Sequence, residues 1–415
     1  MTSPTTSAYR GFAQGLIVGH DSIKLLRSEL SRYSCRRVAL FSSPSVLDGA
    51  TFARVRAALS DVEIALIESD IRPHAPIADT EALAEQLRGF DIDAFVTVGG
   101  GSVSDTAKAC AILLSEGGHL EDHCSSFTPP DQLLQPPLPG PKIPIFAVPT
   151  SLSGAEMTPG GAATDSTGTK RTFWDPKIAS RLVIFDSMAL SETPPEILVT
   201  TAMNGLAHCA EGIYSKTKNP VSTALALQGA RQFTSGLLKH LEAPGNSETL
   251  LTLGEAAAFG GMVISHARVG LHHAICHVLG ASCGVPHGVA NSIMLPHVLE
   301  YNEGATMPEQ SQLSGAMIGG FTDAGYDLPE LTWQAQDAVS ASVLVTRLRN
   351  LLGAPRSLRE AGVAESSLEE VAERTTFDRG LYFNPRPVNG SRDVLDILWR
   401  AWHDDSNNHM TAGTY

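Results

Sequence analysis

Five of the chain's 14 histidines fall between Met262 and Leu295. His266, His273 and His277 are spaced seven and four apart, so one continuous α-helix would stack all three on a single face. His287 follows fourteen residues after His273, beyond glycines and Pro286 that must turn the chain. Upstream, Asn204 and His208 have the i, i+4 spacing that points two side chains the same way. Imidazoles bind metals and exchange protons near neutral pH, so a cluster of them is a metal site, a proton-transfer site or both. A lone histidine on a helix face is usually structural, but His208, His273, His277 and His287 with Asn204 read as one group. His272 points off the shared face and reads as a supporting residue. His266, a turn and more from His273, is left out.

The elements that must carry this group follow from hydrophobic patterning. LIVG, RRVALFSS, VEIALIES and DAFVTVGGG read as strands, hydrophobic throughout, separated by amphipathic helices in SIKLLRSELSRY, TFARVRAAL and DTEALAEQLRGF. Such alternation implies a doubly wound parallel sheet covered on both faces, a dinucleotide-binding α/β domain. The fourth strand ends in Gly99, Gly100 and Gly101, and a helix opens over Ser102 to Asp105. Glycines let the backbone approach a pyrophosphate, and the helix offers free N–H groups and its positive end. KIPIFAVPTSLSGAEMTPG is a strand running into a second small-residue loop, and further strands lie around RTFW and RLVIFD. Residues 115–143, rich in Pro and Gly, read as an irregular surface excursion, its HLEDHC included. Pro194 and Pro195 suit a helix start. The chain is therefore read as an α/β domain over 1–193 and an all-helical domain over 194–415. Helices are expected over 196–240, 248–281, 286–301, 331–352 and 366–374.

The 415 residues suit about two domains. A net charge of −14 argues against nucleic acid and anionic membrane as partners, though not against a small anionic substrate held by local cations. The N-terminus lacks the pattern of a signal peptide, and no apolar run suggests a membrane span. Six cysteines with no CxxC read as reduced thiols of a cytoplasmic protein.

Several motifs together resemble the iron-containing alcohol dehydrogenase superfamily: GGGSVSDTAKA (99–109), MNGLAHCAE (203–211) and GLHHAICHVLGASCGVPHGVANSIMLPHVLEYN (270–302). HAP at 74–76, PTSLSGAEMTP at 149–159, GLHHAICH at 270–277, GAPRSLREAGV at 353–363 and NPRP at 384–387 resemble its maleylacetate reductase branch. The resemblance implies an α/β domain, a helical domain and an active site in the cleft between them, in a homodimer. It implies pyrophosphate contacts at Gly99, Gly100, Gly101 and Ser102 with Asp105 nearby. It also implies a nicotinamide loop at Thr150, Ser151 and Ser153, lined by Lys170 and Leu190. Ser43, at the end of the second strand, stands where many NAD-preferring relatives have Asp. An Asp there accepts from the ribose 2′-OH and repels a 2′-phosphate. Use of both NADH and NADPH is expected.

Metal-dependent relatives hold Fe or Zn with an Asp and three histidines. The corresponding positions here are Asn204, His208, His273 and His287, so the anionic ligand is missing and metal affinity should fall. The expectation is metal-free reduction of maleylacetate, a dianionic 2-ene-4-oxo acid of aromatic-ring degradation, to 3-oxoadipate. His277 would relay the proton, while His208, His273 and His287 bind and polarise substrate. Arg386 and Arg171 are candidates for a substrate carboxylate. The alternatives are a metal-dependent alcohol dehydrogenase or aldehyde reductase on the same fold, a paralogue with another substrate, and a cofactor-binding protein without catalysis.

Overall fold

The computed structural model describes residues 9, 11–129, 131–326 and 339–403. Ten strands occur in chain order among them. These are β1 (Gly15–Gly19), β2 (Arg37–Ser42), β3 (Glu63–Glu68), β4 (Ala94–Gly99), β5 (Ser126–Thr128), β6 (Gln132–Leu134), β7 (Ile145–Pro149), β8 (Gly160–Thr164), β9 (Lys170–Trp174) and β10 (Leu182–Asp186). Six form one parallel sheet in the order β1-β10-β7-β4-β2-β3. The central β4, β7 and β10 are buried along their whole length. Their unbroken apolar runs are what a parallel sheet covered on both faces requires. From β2 the chain reaches β3 on one side and then β4 on the other, so the sheet's direction of growth reverses between β2 and β4. Ligands of open α/β sheets bind outside the carboxyl ends of the strands at such a point.

Two loops leave that edge side by side. Gly99 of β4 is in register with Pro149 of β7, and Thr150 N donates to Gly99 O at 3.0 Å. The glycine loop and the Ser151–Ser153 loop are therefore neighbours. The antiparallel β8–β9 hairpin then folds Lys170 and Trp174 back toward them.

Beyond Asp186 the described chain is helical, with long helices at Pro195–Tyr214, Pro220–Glu242, Ser247–Ala267, Leu271–Cys283 and His287–Asp323. Apolar residues of these helices share one core with the sheet: Val183 and Phe185 of β10 pack with Leu206, Phe233 and Leu253. Backbones approach closely there. At Gly154, whose φ is +68°, a Cβ would stand 2.4 Å from Ala257 O of the Ser247–Ala267 helix.

Several expected boundaries are corrected. The stretch 196–240 is two helices, because Asn219 caps a new one, its Oδ1 accepting from the N–H groups of Val221 and Ser222 ahead of Pro220. The stretch 248–281 breaks at 268–270, so His266 and His273 lie on different helices. The 286–301 helix continues to Asp323, carrying Pro296 and Pro308 with a kink at Thr306. The excursion at 115–143 is not wholly irregular: it holds a 3₁₀ turn at Leu120–His123 and the β5–β6 hairpin. Much of 331–340 lies outside the described residues, and the helix there is described over Ala341–Leu351. The expected 366–374 helix is Leu368–Thr375, and a further helix at Ser391–His403 was not expected.

All six cysteines are free. One described helix, Ser247–Ala267, is long and apolar enough to cross a membrane by length and composition alone. Its apolar face is buried against the sheet and neighbouring helices of this fold.

Candidate active site

A cavity of about 440 Å³ opens between the sheet's carboxyl edge and the helices. Its floor on the sheet side is the glycine loop. Gly100 caps the Gly101–Glu116 helix, whose free N–H groups face the opening. A Cβ at Gly99 would stand 2.7 Å from Val103, and one at Gly100 would stand 3.3 Å from Ser151 Oγ. At Gly99 and Gly100 the loop therefore has little room for a side chain, and it presents bare backbone, which fits the pyrophosphate of a dinucleotide. Ser102 Oγ accepts from His74 N at 3.0 Å. His74 and Ala75 both have positive φ, 66° and 47°, so backbone strain is held beside the cavity.

The predicted residues divide in two. Gly100, Gly101, Ser102, Asp105, Ser151, Ser153, Lys170, Asn204, His208, His273, His277 and His287 all line this cavity. Gly99, Thr150, Leu190 and Ser43 do not. Gly99 ends β4, Thr150 O accepts from Thr193 Oγ1 at 2.6 Å, and Leu190 is fully buried in the core. Ser43 follows β2 with its Oγ 3.1 Å from Ser45 Oγ. His266 is also elsewhere, stacked on Phe12 at 5.1 Å.

The imidazoles form a contiguous cluster. His208 stacks on His273 with ring centroids 4.8 Å apart, His273 and His287 are 5.8 Å apart, and His287 stacks on His277 at 5.8 Å. Glu211 of the Pro195–Tyr214 helix anchors the group: its Oε2 lies 2.6 Å from His273 Nδ1, and its Oε1 accepts from His272 N. His273 Nε2 faces Asn204 Oδ1 at 3.1 Å. An amide serves that nitrogen in either protonation state, since its NH₂ donates to neutral imidazole and its oxygen accepts from imidazolium. A carboxylate could only accept. His208 Nδ1 is buried with no partner. An unmatched acceptor costs less than an unmatched N–H, so the proton belongs on Nε2, the nitrogen left to the cavity.

Burial pushes His208, His273 and His287 below the ordinary histidine range, and their neighbours reinforce it: the other imidazoles for His208, and both His277 and Lys170 for His273 and His287. Lys170 is itself pushed down by burial, against the pull of Asp105 and Asp378. The site is thus a buried chamber that disfavours positive charge on its bases, and a bound anion would raise every one of these groups.

Residues not foreseen in the sequence complete it. Asp378 Oδ2 lies 2.9 Å from His277 Nδ1. Burial opposes the Asp378 carboxylate, but His277 and the Gly380 N–H outweigh it and hold it below the usual range. Arg268 and Arg379 also line the cavity, whereas the two arginines singled out earlier do not. Arg171 pairs with Asp165 at 2.7 Å, and Arg386 stacks on Tyr301. DRG at 378–380 carried no local pattern that would have marked it.

A divalent metal would have to take His208, His273 and His287 with Asn204. That set contains no anion, and a lysine ammonium bears on two of the three rings. Such donors do not fit a dication well. Glu211, His272 and His273 are also close enough to share an ion. Their polar atoms are instead spent on one another and on Asn291 O.

Two family models match consecutive parts of the chain: iron-containing alcohol dehydrogenase over residues 13–187, and the C-terminal part of the Fe-containing alcohol dehydrogenase family over 198–402. Maleylacetate reductase 2 of Cupriavidus pinatubonensis is 30% identical over 302 residues, 73% of this chain and 76% of the relative. Maleylacetate reductase of a Rhizobium species is 28% identical over 388 residues, 93% and 95% of the two chains. The crystal structure of maleylacetate reductase from Agrobacterium tumefaciens covers 97% of this chain and 99% of its own at a TM-score of 0.78 and 26% identity. That of a 1,3-propanediol oxidoreductase covers 95% and 100% at a TM-score of 0.83 and 25% identity. The chain belongs to the iron-containing alcohol dehydrogenase family of oxidoreductases, in its maleylacetate reductase branch.

Proposed function

We propose that this enzyme reduces maleylacetate to 3-oxoadipate with NADH or NADPH and without a metal. One observation carries the reading. Asn204, at the position where the metal-dependent relatives this sequence resembles hold an Asp, sits among buried imidazoles that feel Lys170, which favours a dianion over a dication in the chamber.

The glycine loop and the Ser151–Ser153 loop would hold the dinucleotide, and a reduced nicotinamide there supplies a hydride. The acceptor is the alkene carbon β to the substrate's ketone. As that bond forms, the π pair moves toward the ketone oxygen as an enolate. His208, through Nε2–H, hydrogen-bonds the developing oxygen anion, and Glu211 and Asn204 hold the His273 ring beside it. His277, oriented by Asp378, delivers one proton to the α carbon. The double bond is thereby saturated by one hydride and one proton, and the ketone is restored. Ionised groups on the enzyme would favour binding of both carboxylates before any chemistry.

The experiment is NADH consumption with freshly generated maleylacetate, with and without EDTA. Turnover unaffected by the chelator is expected. No turnover rejects the substrate, and turnover abolished by EDTA but restored by Zn²⁺ or Fe²⁺ rejects the metal-free reading.

A further inference from the structure

Arg268 and Arg379 are cations of the cavity for which the steps above find no use. Arg268 occupies the break between the Ser247–Ala267 and Leu271–Cys283 helices with φ 55° and ψ 146°, a backbone region in which only glycine is comfortable. An arginine held there is strained. Its guanidinium lies over the Trp174 ring, 4.4 Å from the centroid, so the β8–β9 hairpin serves as its platform. Arg379 directly follows Asp378, and its Nη1 donates to Ser125 Oγ at 3.5 Å.

Among the described residues neither arginine has a carboxylate within ion-pair distance. Asp378, the nearest acid in sequence, commits its oxygens to His277 and to the Gly380 N–H. The two guanidiniums also feel each other. Burial, and then Arg379, bring Arg268 down to about 10. Asp378 is the acid whose charge bears on Arg379, but two partly buried guanidiniums that line one cavity with no carboxylate at ion-pair distance among the described residues form half of an anion site.

The rest of the cavity says which anion. The glycine loop takes the cofactor, and the imidazoles take the ketone. What remains is the part of the substrate beyond the ketone. We propose that Arg268 and Arg379 together seat the carboxylate on the ketone side of the substrate and thereby select a dicarboxylate over the corresponding monoacid or a simple aldehyde. This assignment rests on the reading of the site as a reductase of 2-ene-4-oxo acids. It replaces Arg171 and Arg386, which the structure turns to other partners.

The test compares kcat/KM for maleylacetate with that for 4-oxopent-2-enoate, which keeps the enone and lacks this carboxylate, in the wild type, R268Q, R379Q and R268K. The preference for the diacid should fall about a hundredfold in each Gln variant, chiefly through KM, and about tenfold in R268K, which keeps charge without the planar fork. NADH affinity, followed by nicotinamide fluorescence, should move by less than about threefold. An unchanged preference overturns the proposal. So does a parallel loss of NADH affinity, because the pair would then serve the cofactor. If the wild type reduces neither acid, the functional reading fails by itself. The seat is then judged by calorimetry with glutarate, and equal affinity in wild type and both Gln variants overturns it.

Discussion

Asp378 Oδ2 accepts from His277 Nδ1 at 2.9 Å, across 101 residues of sequence. The pair fixes the ring's tautomer: the proton on Nδ1 belongs to the carboxylate, and Nε2 is left for the cavity. His277 also stacks on His287, so its plane is set as well as its tautomer. Replacing Asp378 by Asn removes the charge and allows the wrong tautomer while keeping the volume. We expect D378N to lose roughly tenfold to a hundredfold in kcat with KM for NADH little changed. Steady-state kinetics check this, and a wild-type kcat would remove His277 from the proton path.

Asn204→Asp tests the absence of a metal at the one residue on which it turns. The substitution would place an anion about where an amide now faces His273 Nε2, adding the charge a dication needs and opposing a dianion. At the few ångströms involved and an effective dielectric near 20, the repulsion is roughly 1–4 kcal/mol, or about tenfold to a thousandfold in kcat/KM for maleylacetate. Zinc bound after dialysis should rise from a trace toward one equivalent. A variant that gains neither metal nor discrimination against the dianion would show that the amide is incidental.

What the sequence revealed of this site was local. His273 and His277 are four apart on one helix, Asn204 and His208 four apart on another, and the glycines sit at a strand's end, so spacing alone found them. Their partners are distant. Glu211 meets His273 from 62 residues away, and Asp378 and Arg379 arrive on a short segment whose place is set by packing against the Leu271–Cys283 helix. No periodicity encodes such contacts. The single helix expected over 248–281, on which His266 and His273 would share a face, failed for a related reason. The spacing matched the helix, but the break at Arg268 is a strained arginine and not a proline, and Gly270 was the only sign of it.

Cofactor choice should follow Ser43. The residue stands at the carboxyl end of β2, where the growth of the sheet reverses, and it carries no charge to accept from a ribose 2′-OH or repel a 2′-phosphate. We expect kcat/KM for NADH and NADPH to lie within about a thousandfold of each other, and S43D to shift the ratio toward NADH by at least about tenfold. A ratio in S43D equal to the wild type's would place the discriminating residue elsewhere.

Beneath the glycine loop, Glu156 and Lys108 give stability a pH dependence with a definite sign. Lys108 Nζ is fully buried and donates to Ala155 O at 2.6 Å and Gly160 O at 2.8 Å, tying the loop to the Gly101–Glu116 helix. Glu156 is buried beside it with Oε1 unpartnered, and burial raises its carboxyl from 4.5 to about 7. Between those values the folded chain keeps a proton the unfolded chain has lost, so stability falls as pH rises from 4.5 to 7 and levels off above. Burial lowers Lys108 from 10.5 to about 8, so its cost is full below 8 and fades as pH climbs toward 10.5. The two together put a shallow minimum of stability near pH 7 to 8. E156Q keeps the shape and removes the charge. Its Tm should match the wild type's at about pH 4.5 and exceed it at about pH 8 by a few degrees, consistent with an upper bound of roughly 3 kcal/mol. Calorimetry at both pH values decides it: a constant difference between the two proteins would mean that Glu156 does not titrate in this window.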